Sequence, residues 1–273
     1  MNSFLSGYAA ATGPVAADAV TTDEVGLETG EIRVTSDGFP LPAYWARPRN
    51  EPGRPLVLVA QEIFGLHAYI KDVCRRLAKG GYAAVAPELY ARQGSVAGMS
   101  DMQEIIDTVV RRVPDTQVLA DLDAVVEHTE REGLGDTGRL GITGFCWGGR
   151  IVWLYSAHQA RLKAGVAWYG KLAAGPYSTP VMQPQQPLDV AGELHGAILG
   201  LYGGKDDGIP LTDVARMRAE LARAGKSNCE IAVYPDAGHA FHADYRPSYH
   251  EASAKDGWER MLAWFRRHGL ATW

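Results

Sequence analysis

Six short runs of apolar residues, separated by segments with helical periodicity, constrain the fold of this chain more than any other feature. The runs lie at residues 56–60, 82–86, 139–143, 165–169, 197–202 and 230–234. Short, continuously apolar strands are typical of a parallel sheet that is buried on both faces. The helical patterns lie at residues 68–79, 101–112, 116–130, 148–158, 211–224 and 249–268. Strands that alternate with helices predict one α/β domain, with a mostly parallel central sheet, helices on both faces and right-handed crossovers.

The N-terminal part of the chain follows a different pattern. Residues 31–35 and 43–47 alternate apolar and polar side chains around a Ser-Asp-Gly turn at 36–38, which predicts an antiparallel hairpin at the N-terminal edge of the sheet. Residues 1–28 are rich in small side chains and show no period. We interpret them as an N-terminal arm, poorly structured or packed on the surface, and residues 29–273 as the α/β domain.

One segment inside the domain lacks a period. Residues 171–192 contain Pro176, Pro180, Pro184 and Pro187. A stretch of this length without regular structure is either a functional loop over a site or an excursion on the surface. The sequence leaves both interpretations open.

Composition and charge exclude several classes of function. Of the 273 residues, 46% are hydrophobic, and the net charge of -5 disfavours binding to nucleic acid. Apolar runs are too short for a membrane span, and residues 1–32 contain no Lys or Arg, so we expect neither a membrane anchor nor an export signal. Three cysteines, Cys74, Cys146 and Cys229, cannot all pair, which predicts a reducing, cytoplasmic location.

The sequence GFCWGG at residues 144–149 lies between an apolar run and a helical pattern. The spacing G-x-C-x-G is that of a nucleophile elbow in which Cys146 replaces the usual serine. The glycines are required because side chains two positions before and after the nucleophile would clash in such a tight strand-to-helix turn. The start of a helix also favours a thiolate. A glycine-rich turn with a buried cysteine has the same local sequence. The two interpretations are distinguished by whether an acid and a histidine follow at the expected places.

An elbow of this kind requires an acid and then a histidine, each after a later strand. The run at 197–202 is followed by Asp206 and Asp207, and the run at 230–234 is followed by His239. The carboxyl ends of parallel strands meet at one edge of a sheet. The sequence therefore predicts Cys146 as nucleophile, His239 as base and Asp206 as acid, with Asp207 as the alternative acid. No cofactor or metal is required.

These motifs resemble the dienelactone hydrolase family, a carboxymethylenebutenolidase-like branch of the α/β-hydrolase superfamily. The resemblance extends from about residue 54 to residue 265, most of the chain, and its blocks are AQEIFG at 60–65, APELYAR at 86–92, GFCWGG at 144–149, and the loops at 203–210 and 238–241. The family's acid lies three residues before an Ile-Pro or Val-Pro pair, which here favours Asp206. The resemblance implies a single α/β-hydrolase domain that hydrolyses lactones or small carboxylic esters, most closely of the dienelactone type.

The resemblance also implies a role for each reacting group. Glu62 would hydrogen-bond the resting thiol and help to move its proton as substrate binds. Cys146 would then attack the carbonyl carbon. His239, oriented by Asp206, would activate water or carry protons during turnover of the thioester.

Further positions correspond to the family's substrate contacts. The backbone N–H groups of Ile63 and Trp147 would form the oxyanion hole. Arg92 would bind a substrate carboxylate, a charge-assisted contact suited to guanidinium. Tyr169 would be an aromatic residue of the pocket.

The chain departs from the family pattern at the position of a second substrate-binding arginine, which is Ala243 here. His242 and Arg246 are the nearby candidates to replace it. Two other functions stay open: a ligand-binding or sensing protein without turnover, and a zinc hydrolase using His239, His242 and Asp244. The expected partner is a small lactone or ester, with no nucleic acid and no membrane. Whether the chain forms a homo-oligomer stays open.

Overall fold

The computed structural model describes residues 19–99, 101–175 and 178–272. Its core is one eight-stranded sheet with the order β1-β2-β4-β3-β5-β6-β7-β8. The strands are β1 (Leu27–Ser36), β2 (Phe39–Pro48), β3 (Pro55–Ala60), β4 (Ala83–Pro87), β5 (Asp136–Phe145), β6 (Ala164–Trp168), β7 (Ala197–Gly203) and β8 (Glu230–Tyr234). The β1–β2 hairpin and the β2–β4 pair are antiparallel, and the other pairs are parallel. The predicted fold class is confirmed.

Helices connect the parallel strands and cover the sheet. They are α1 (Ala68–Lys79), α2 (Met102–Thr108), α3 (Asp115–Glu132), α4 (Trp147–His158), α5 (Leu211–Arg223) and α6 (Glu251–Arg267). Every residue of β3 and β4 is buried, as expected for strands covered on both faces. Within the described ranges, no helix is both long and apolar enough to cross a membrane.

The predicted helix at 101–112 is divided in two. α2 ends at Thr108, and a separate 3₁₀ turn covers Val110–Arg112. The β-branched residues Thr108, Val109 and Val110 restrict side-chain rotation in a helix, and Pro114 prevents a continuous helix into α3. Strand β5 is longer than its apolar run because backbone pairing continues to Asp136, which lies opposite Pro55 of β3.

The described part of the N-terminal arm packs on α1. The backbone N–H of Thr22 donates to Oδ1 of Asp72 at 2.7 Å, and Nε of Arg75 donates to the carbonyl of Thr22 at 2.9 Å. Strand β1 begins at Leu27, slightly before the predicted domain boundary. The rest of the predicted arm, residues 1–18, lies outside the described residues.

The proline-rich segment is attached to the domain by a buried ion pair. Arg150 of α4 donates to both carboxylate oxygens of Asp115 at 2.7 Å and to the carbonyl of Gln185 at 2.7 Å. The backbone N–H of Asp115 in turn donates to the carbonyl of Met182 at 2.8 Å. These contacts hold the described part of residues 171–192 against the first turns of α3 and α4.

The turn between β5 and α4 is strained and tightly packed. Cys146 has φ 55° and ψ -112°, a left-handed conformation that costs about 1–3 kcal/mol for a residue with a side chain. A Cβ atom on Gly144 would overlap the carbonyl oxygen of Gly148, and one on Gly148 would overlap the carbonyl oxygen of Ala60. The two glycines are therefore required by the packing of backbone against backbone.

We expect Gly148→Ala to lower the free energy of unfolding by about 3 kcal/mol, because the rigid end of β3 must move to accommodate the methyl group. Gly192→Ala is the matched control, since its Cβ would meet no atom closer than 3.8 Å. Urea unfolding of both variants measures the difference. Equal stability of the two variants would contradict the role assigned to this contact.

Candidate active site

Cys146, His239 and Asp206 meet at the carboxyl ends of β5, β8 and β7. Nε2 of His239 lies 3.2 Å from Sγ of Cys146, and Nδ1–H of His239 donates to Oδ2 of Asp206 at 2.7 Å. The backbone N–H of Gly208 donates to Oδ1 of Asp206 at 2.9 Å, which orients the carboxylate. Asp206 is buried, whereas Asp207 is exposed. The structure thus brings Asp206, and not Asp207, to the histidine.

The surroundings of His239 favour its protonated form. Burial lowers the pKa of the imidazole, but the charge of Asp206, the Cys146 sulfur and the hydrogen bonds to both outweigh burial, so the pKa of His239 lies well above its usual value. A positive charge 3.2 Å from the sulfur stabilises a thiolate. The arrangement can supply a nucleophilic sulfur and a proton donor side by side.

Glu62 is a buried carboxylate next to this group, with only 1% of its surface exposed. The hydroxyl of Tyr245 donates to Oε2 of Glu62 at 2.8 Å, and Nε2 of His67 lies 3.3 Å from the same oxygen. Burial raises the pKa of Glu62, but His67, the charge of Arg246 and the Tyr245 hydrogen bond outweigh it and lower the pKa. The site therefore holds a charged carboxylate close to Cys146.

The contacts of Glu62 differ from the expectation. Glu62 and Cys146 border the same small cavity, but among the described residues the thiol faces His239, and Glu62 is paired with Tyr245 and His67. Sequence reasoning missed Tyr245 and His67. No local motif could have indicated Tyr245, because it lies 183 positions from Glu62 along the chain. His67 lies only five positions after Glu62.

Arg92 lies outside this group, contrary to the expectation for a substrate-binding residue. Its guanidinium donates to both oxygens of Asp121, at 2.7 and 2.6 Å, and to the carbonyl of Ser36 at 2.8 Å. It also lies 4.7 Å from the ring centroid of Phe39. Because Asp121 is fully buried, this ion pair joins the N-terminal hairpin to α3, and Arg92 does not line the cavities that contain Cys146.

Arg246 lies near Cys146, whereas the position of the family's second arginine is Ala243 in this chain. Its guanidinium lies 4.0 Å from the ring centroid of Phe64 and 4.5 Å from that of Tyr245, and it borders the cavity shared by Glu62, Cys146 and His239. Stacking on two aromatic rings holds the cation in place. Among the arginines and lysines of the described residues, Arg246 alone borders this cavity.

His242 and Asp244 point elsewhere. Nδ1 of His242 lies 2.5 Å from the hydroxyl of Tyr69, and burial together with the charge of Arg76 lowers the pKa of His242 to about 3. Asp244 forms an ion pair with Arg76 at 2.6 Å. The three residues of the zinc alternative therefore face different partners. In the described part of the chain, no group of three or more His, Cys, Asp or Glu residues could hold a metal ion.

Comparison with known proteins decides the family. The family model for the dienelactone hydrolase family matches residues 41–269. The chain belongs to this family. A protein of Methylorubrum extorquens provisionally named a carboxymethylenebutenolidase is 53% identical over 270 residues, which cover 98% of this chain and 91% of that protein. A provisional carboxymethylenebutenolidase of Escherichia coli is 53% identical over 265 residues, covering 97% of this chain and 96% of its own length.

A solved structure supports the same conclusion. The crystal structure of a provisionally named dienelactone hydrolase from Klebsiella pneumoniae is 55% identical, with a TM-score of 0.84, and the match covers 88% of this chain and 99% of that one. As a member of the dienelactone hydrolase family, the chain is a hydrolase of lactones or carboxylic esters.

In this family member, the remaining predicted residues line the cleft beside Cys146. Ile63, Trp147 and Tyr169 all border it. Trp147 is the first residue of α4, so its backbone N–H has no acceptor within the helix. The Tyr169 ring lies 5.3 Å from the His239 ring, and its hydroxyl is buried without a hydrogen-bond partner among the described residues.

Residues of the proline-rich segment also line the cleft. Gln183 and Gln186 are buried and border the same cavity as Cys146, together with Lys171. Of the two interpretations of residues 171–192, the described part agrees with a loop over a site.

Iodoacetamide should modify Cys146 before the other two thiols. Burial raises the pKa of Cys74 and of Cys229, whereas Cys146 lies 3.2 Å from His239, whose pKa is raised well above its usual value. Peptide mapping by mass spectrometry measures the order of modification. His239→Gln should slow modification of Cys146 by about tenfold, since it removes the adjacent charge, and His195→Gln, at an exposed position, is the control. Faster modification of Cys229 would contradict this reading of the site.

Proposed function

We propose that this chain hydrolyses a carboxylate-bearing lactone or ester of the dienelactone type, with Cys146, His239 and Asp206 as a catalytic triad. The observation that carries the proposal is the continuous path of contacts from sulfur to imidazole to carboxylate, 3.2 and 2.7 Å long. The path begins at a strained elbow that exposes the sulfur to the cleft. This geometry is what nucleophilic acyl transfer requires.

In the first half of the reaction, the proton of the Cys146 thiol passes to Nε2 of His239 with the help of Glu62, and the sulfur attacks the carbonyl carbon. A C–S bond forms, and the negative charge develops on the carbonyl oxygen. The C–O bond to the ring or alkoxy oxygen then breaks, and that oxygen takes the proton from His239. The products of this half are a thioester on Cys146 and an alcohol or enol, which stays attached to the acyl group when the substrate is a lactone.

In the second half, water attacks the thioester carbon. Nε2 of His239 accepts a proton from the water, the C–S bond breaks, and the acid is released. Asp206 holds Nδ1–H of His239 throughout, which fixes the ring for both proton transfers and stabilises its charged form.

The oxyanion of each half-reaction needs donors that are already in position. We assign this role to the backbone N–H groups of Ile63, after β3, and of Trp147, at the start of α4. Both residues border the cleft with Cys146, and the positive end of α4 favours negative charge there. Losing one such donor typically costs about 10²–10³ in rate.

Recognition of the carboxylate falls to Arg246 in this proposal. Arg246 borders the cavity beside Cys146, whereas Arg92 is paired with Asp121. The relatives at 53% identity carry a name that denotes a lactone with a carboxylate-bearing substituent. Glu62 faces the same cavity, where a bound substrate carboxylate would compete with it for the charge of Arg246 and leave Glu62 available to the thiol proton.

The test compares a carboxylate-bearing lactone with a neutral lactone of similar size. Cys146→Ala should abolish hydrolysis of both. Arg246→Gln should lower kcat/KM for the charged lactone by about 10–100-fold, the worth of one charge-assisted contact, and change the neutral one little. Arg92→Gln is the matched control and should not discriminate between the two.

Each outcome decides one part of the proposal. Equal losses on both lactones in Arg246→Gln would overturn carboxylate recognition but leave the triad. Undiminished hydrolysis by Cys146→Ala would overturn the triad itself. Binding without any turnover by the unmodified protein would favour the alternative of a ligand-binding protein.

Glu62→Gln should lower kcat by about 10²–10⁴, the usual span for a group that moves a proton, while the protein stays folded. Glutamine keeps an oxygen that can accept the Tyr245 hydrogen bond, so the fold loses little. Glu88→Gln is the control, because Glu88 accepts hydrogen bonds from the backbone of Leu66 and Tyr90 and does not border the cavities of Cys146. A lowered melting temperature with normal kcat in Glu62→Gln would assign Glu62 a structural role only.

A further inference from the structure

The cleft at Cys146 extends in two directions, and the two parts differ in chemistry. On one side lies the small cavity with Glu62 and Arg246. Next to it lies a second cavity, here called the apolar chamber, which is bordered by Ile106 and Val110, while Met102 borders both cavities. Both parts share the sulfur of Cys146. A substrate whose carbonyl lies at Cys146 can therefore place different substituents into the two parts.

We propose that the apolar chamber binds an alkyl or aromatic substituent of the substrate, so that the preferred substrates are lactones or esters with an apolar group on the side away from Arg246. This inference rests on the proposed function and specifies its substrate class. It assigns Ile106 and Val110 as specificity-determining residues.

The apolar chamber has one continuous hydrocarbon wall. Met102 and Ile106 are four residues apart in α2 and so lie on one face of it, and Val110 continues this face on the following 3₁₀ turn. Each of the three keeps only 7–8% of its surface exposed. Trp147 forms the next part of the wall, and its ring is held edge-on against Tyr90 at 4.9 Å.

Two polar side chains that border the apolar chamber, Arg150 and Gln186, are engaged within the protein. The guanidinium of Arg150 is matched by Asp115 at 2.7 Å, and its Nε donates to the amide oxygen of Gln186 at 2.9 Å. The amide nitrogen of Gln186 donates to the carbonyl of Gln183 at 3.3 Å. Because the charge of Arg150 is neutralised within the protein, it does not attract a substrate anion.

Lys171 is the other cation on this side. It also borders a separate groove with Gly208 and Asp213, so it lies at the margin of the apolar chamber. Burial lowers the pKa of Lys171, although Cys146, Asp206 and Asp213 act in the opposite direction. An apolar group is better placed against the side chains of α2 that border the apolar chamber, Met102 and Ile106, than beside Lys171.

The size of the apolar chamber suits a substituent of a few carbons. Its volume is about 90 Å³, and an enclosed apolar cavity of about 150 Å³ holds benzene. Burial of one methylene group should raise kcat/KM by about fourfold, from the usual transfer free energy of a CH₂ group.

Two series of neutral esters test the inference, measured by titration of the released acid. In the first, the acyl chain of an ethyl ester is lengthened from acetate to butanoate to hexanoate. In the second, the alcohol of an acetate is lengthened from ethyl to butyl to hexyl. We expect kcat/KM of the unmodified protein to rise at least tenfold along one of the series, which also shows which side of the scissile bond faces the apolar chamber.

Variants locate this preference. Ile106→Phe and Val110→Phe fill the apolar chamber and should remove the rise, so that the ratio of kcat/KM between the longest ester and ethyl acetate falls to about 1. Ile106→Ala enlarges it and should move the optimum to longer chains. Leu211→Phe, at a side chain that is 49% exposed on α5, is the matched control.

The outcomes separate this inference from the proposed function. Flat rates along both series, or equal losses on short and long esters in the filled variants, would overturn the inference. If either of these results is found but Cys146→Ala still abolishes hydrolysis, the inference fails and the proposed function stands. Hydrolysis that does not depend on Cys146 would overturn both.

Discussion

The close contact between the first turn of α4 and the end of β3 is the constraint on which the active site depends. Gly148 packs against the carbonyl oxygen of Ala60, and this contact leaves no room for a side chain. It holds Cys146 in a left-handed conformation at φ 55° and places the start of α4 beside the loop that contains Ile63. The nucleophile, the positive end of the helix and the predicted oxyanion donors are thus set by one backbone contact.

Two arginines of the domain are each paired with an aspartate. Arg150 lies one turn along α4 from the nucleophile. Its buried ion pair with Asp115 lies beside the proline-rich segment at 171–192, which Arg150 also contacts at Gln185 and part of which borders the cleft. Arg92 is similarly paired with Asp121. A buried guanidinium needs such a partner because the loss of hydration is otherwise too costly. Arg246 differs, since it lies on the rings of Phe64 and Tyr245 beside the reactive sulfur.

Glu62 shows how a charge can be kept on a buried side chain. Its carboxylate is stabilised by Tyr245, His67 and Arg246 without a direct hydrogen bond to the thiol among the described contacts. His67 lies five positions after Glu62, whereas Tyr245 and Arg246 are neighbours in the loop between β8 and α6. A ligand that changes the contacts of Arg246 would change the balance that keeps Glu62 ionised.

The sequence by itself determined the strand and helix order, the elbow at Cys146 and the candidate residues Asp206 and His239, because these features depend on local patterns. The periodicity of apolar residues, the spacing of glycines and the position of a residue after a strand can each be recognised within a short stretch of sequence. The tertiary structure decided the rest: Asp206 over Asp207, Arg246 near the sulfur instead of Arg92, and Tyr245 and His67 around Glu62. Those outcomes depend on which side chains from distant segments meet in space. A buried charge is stabilised by whichever partner the packing brings within reach, and the packing is a property of the whole fold.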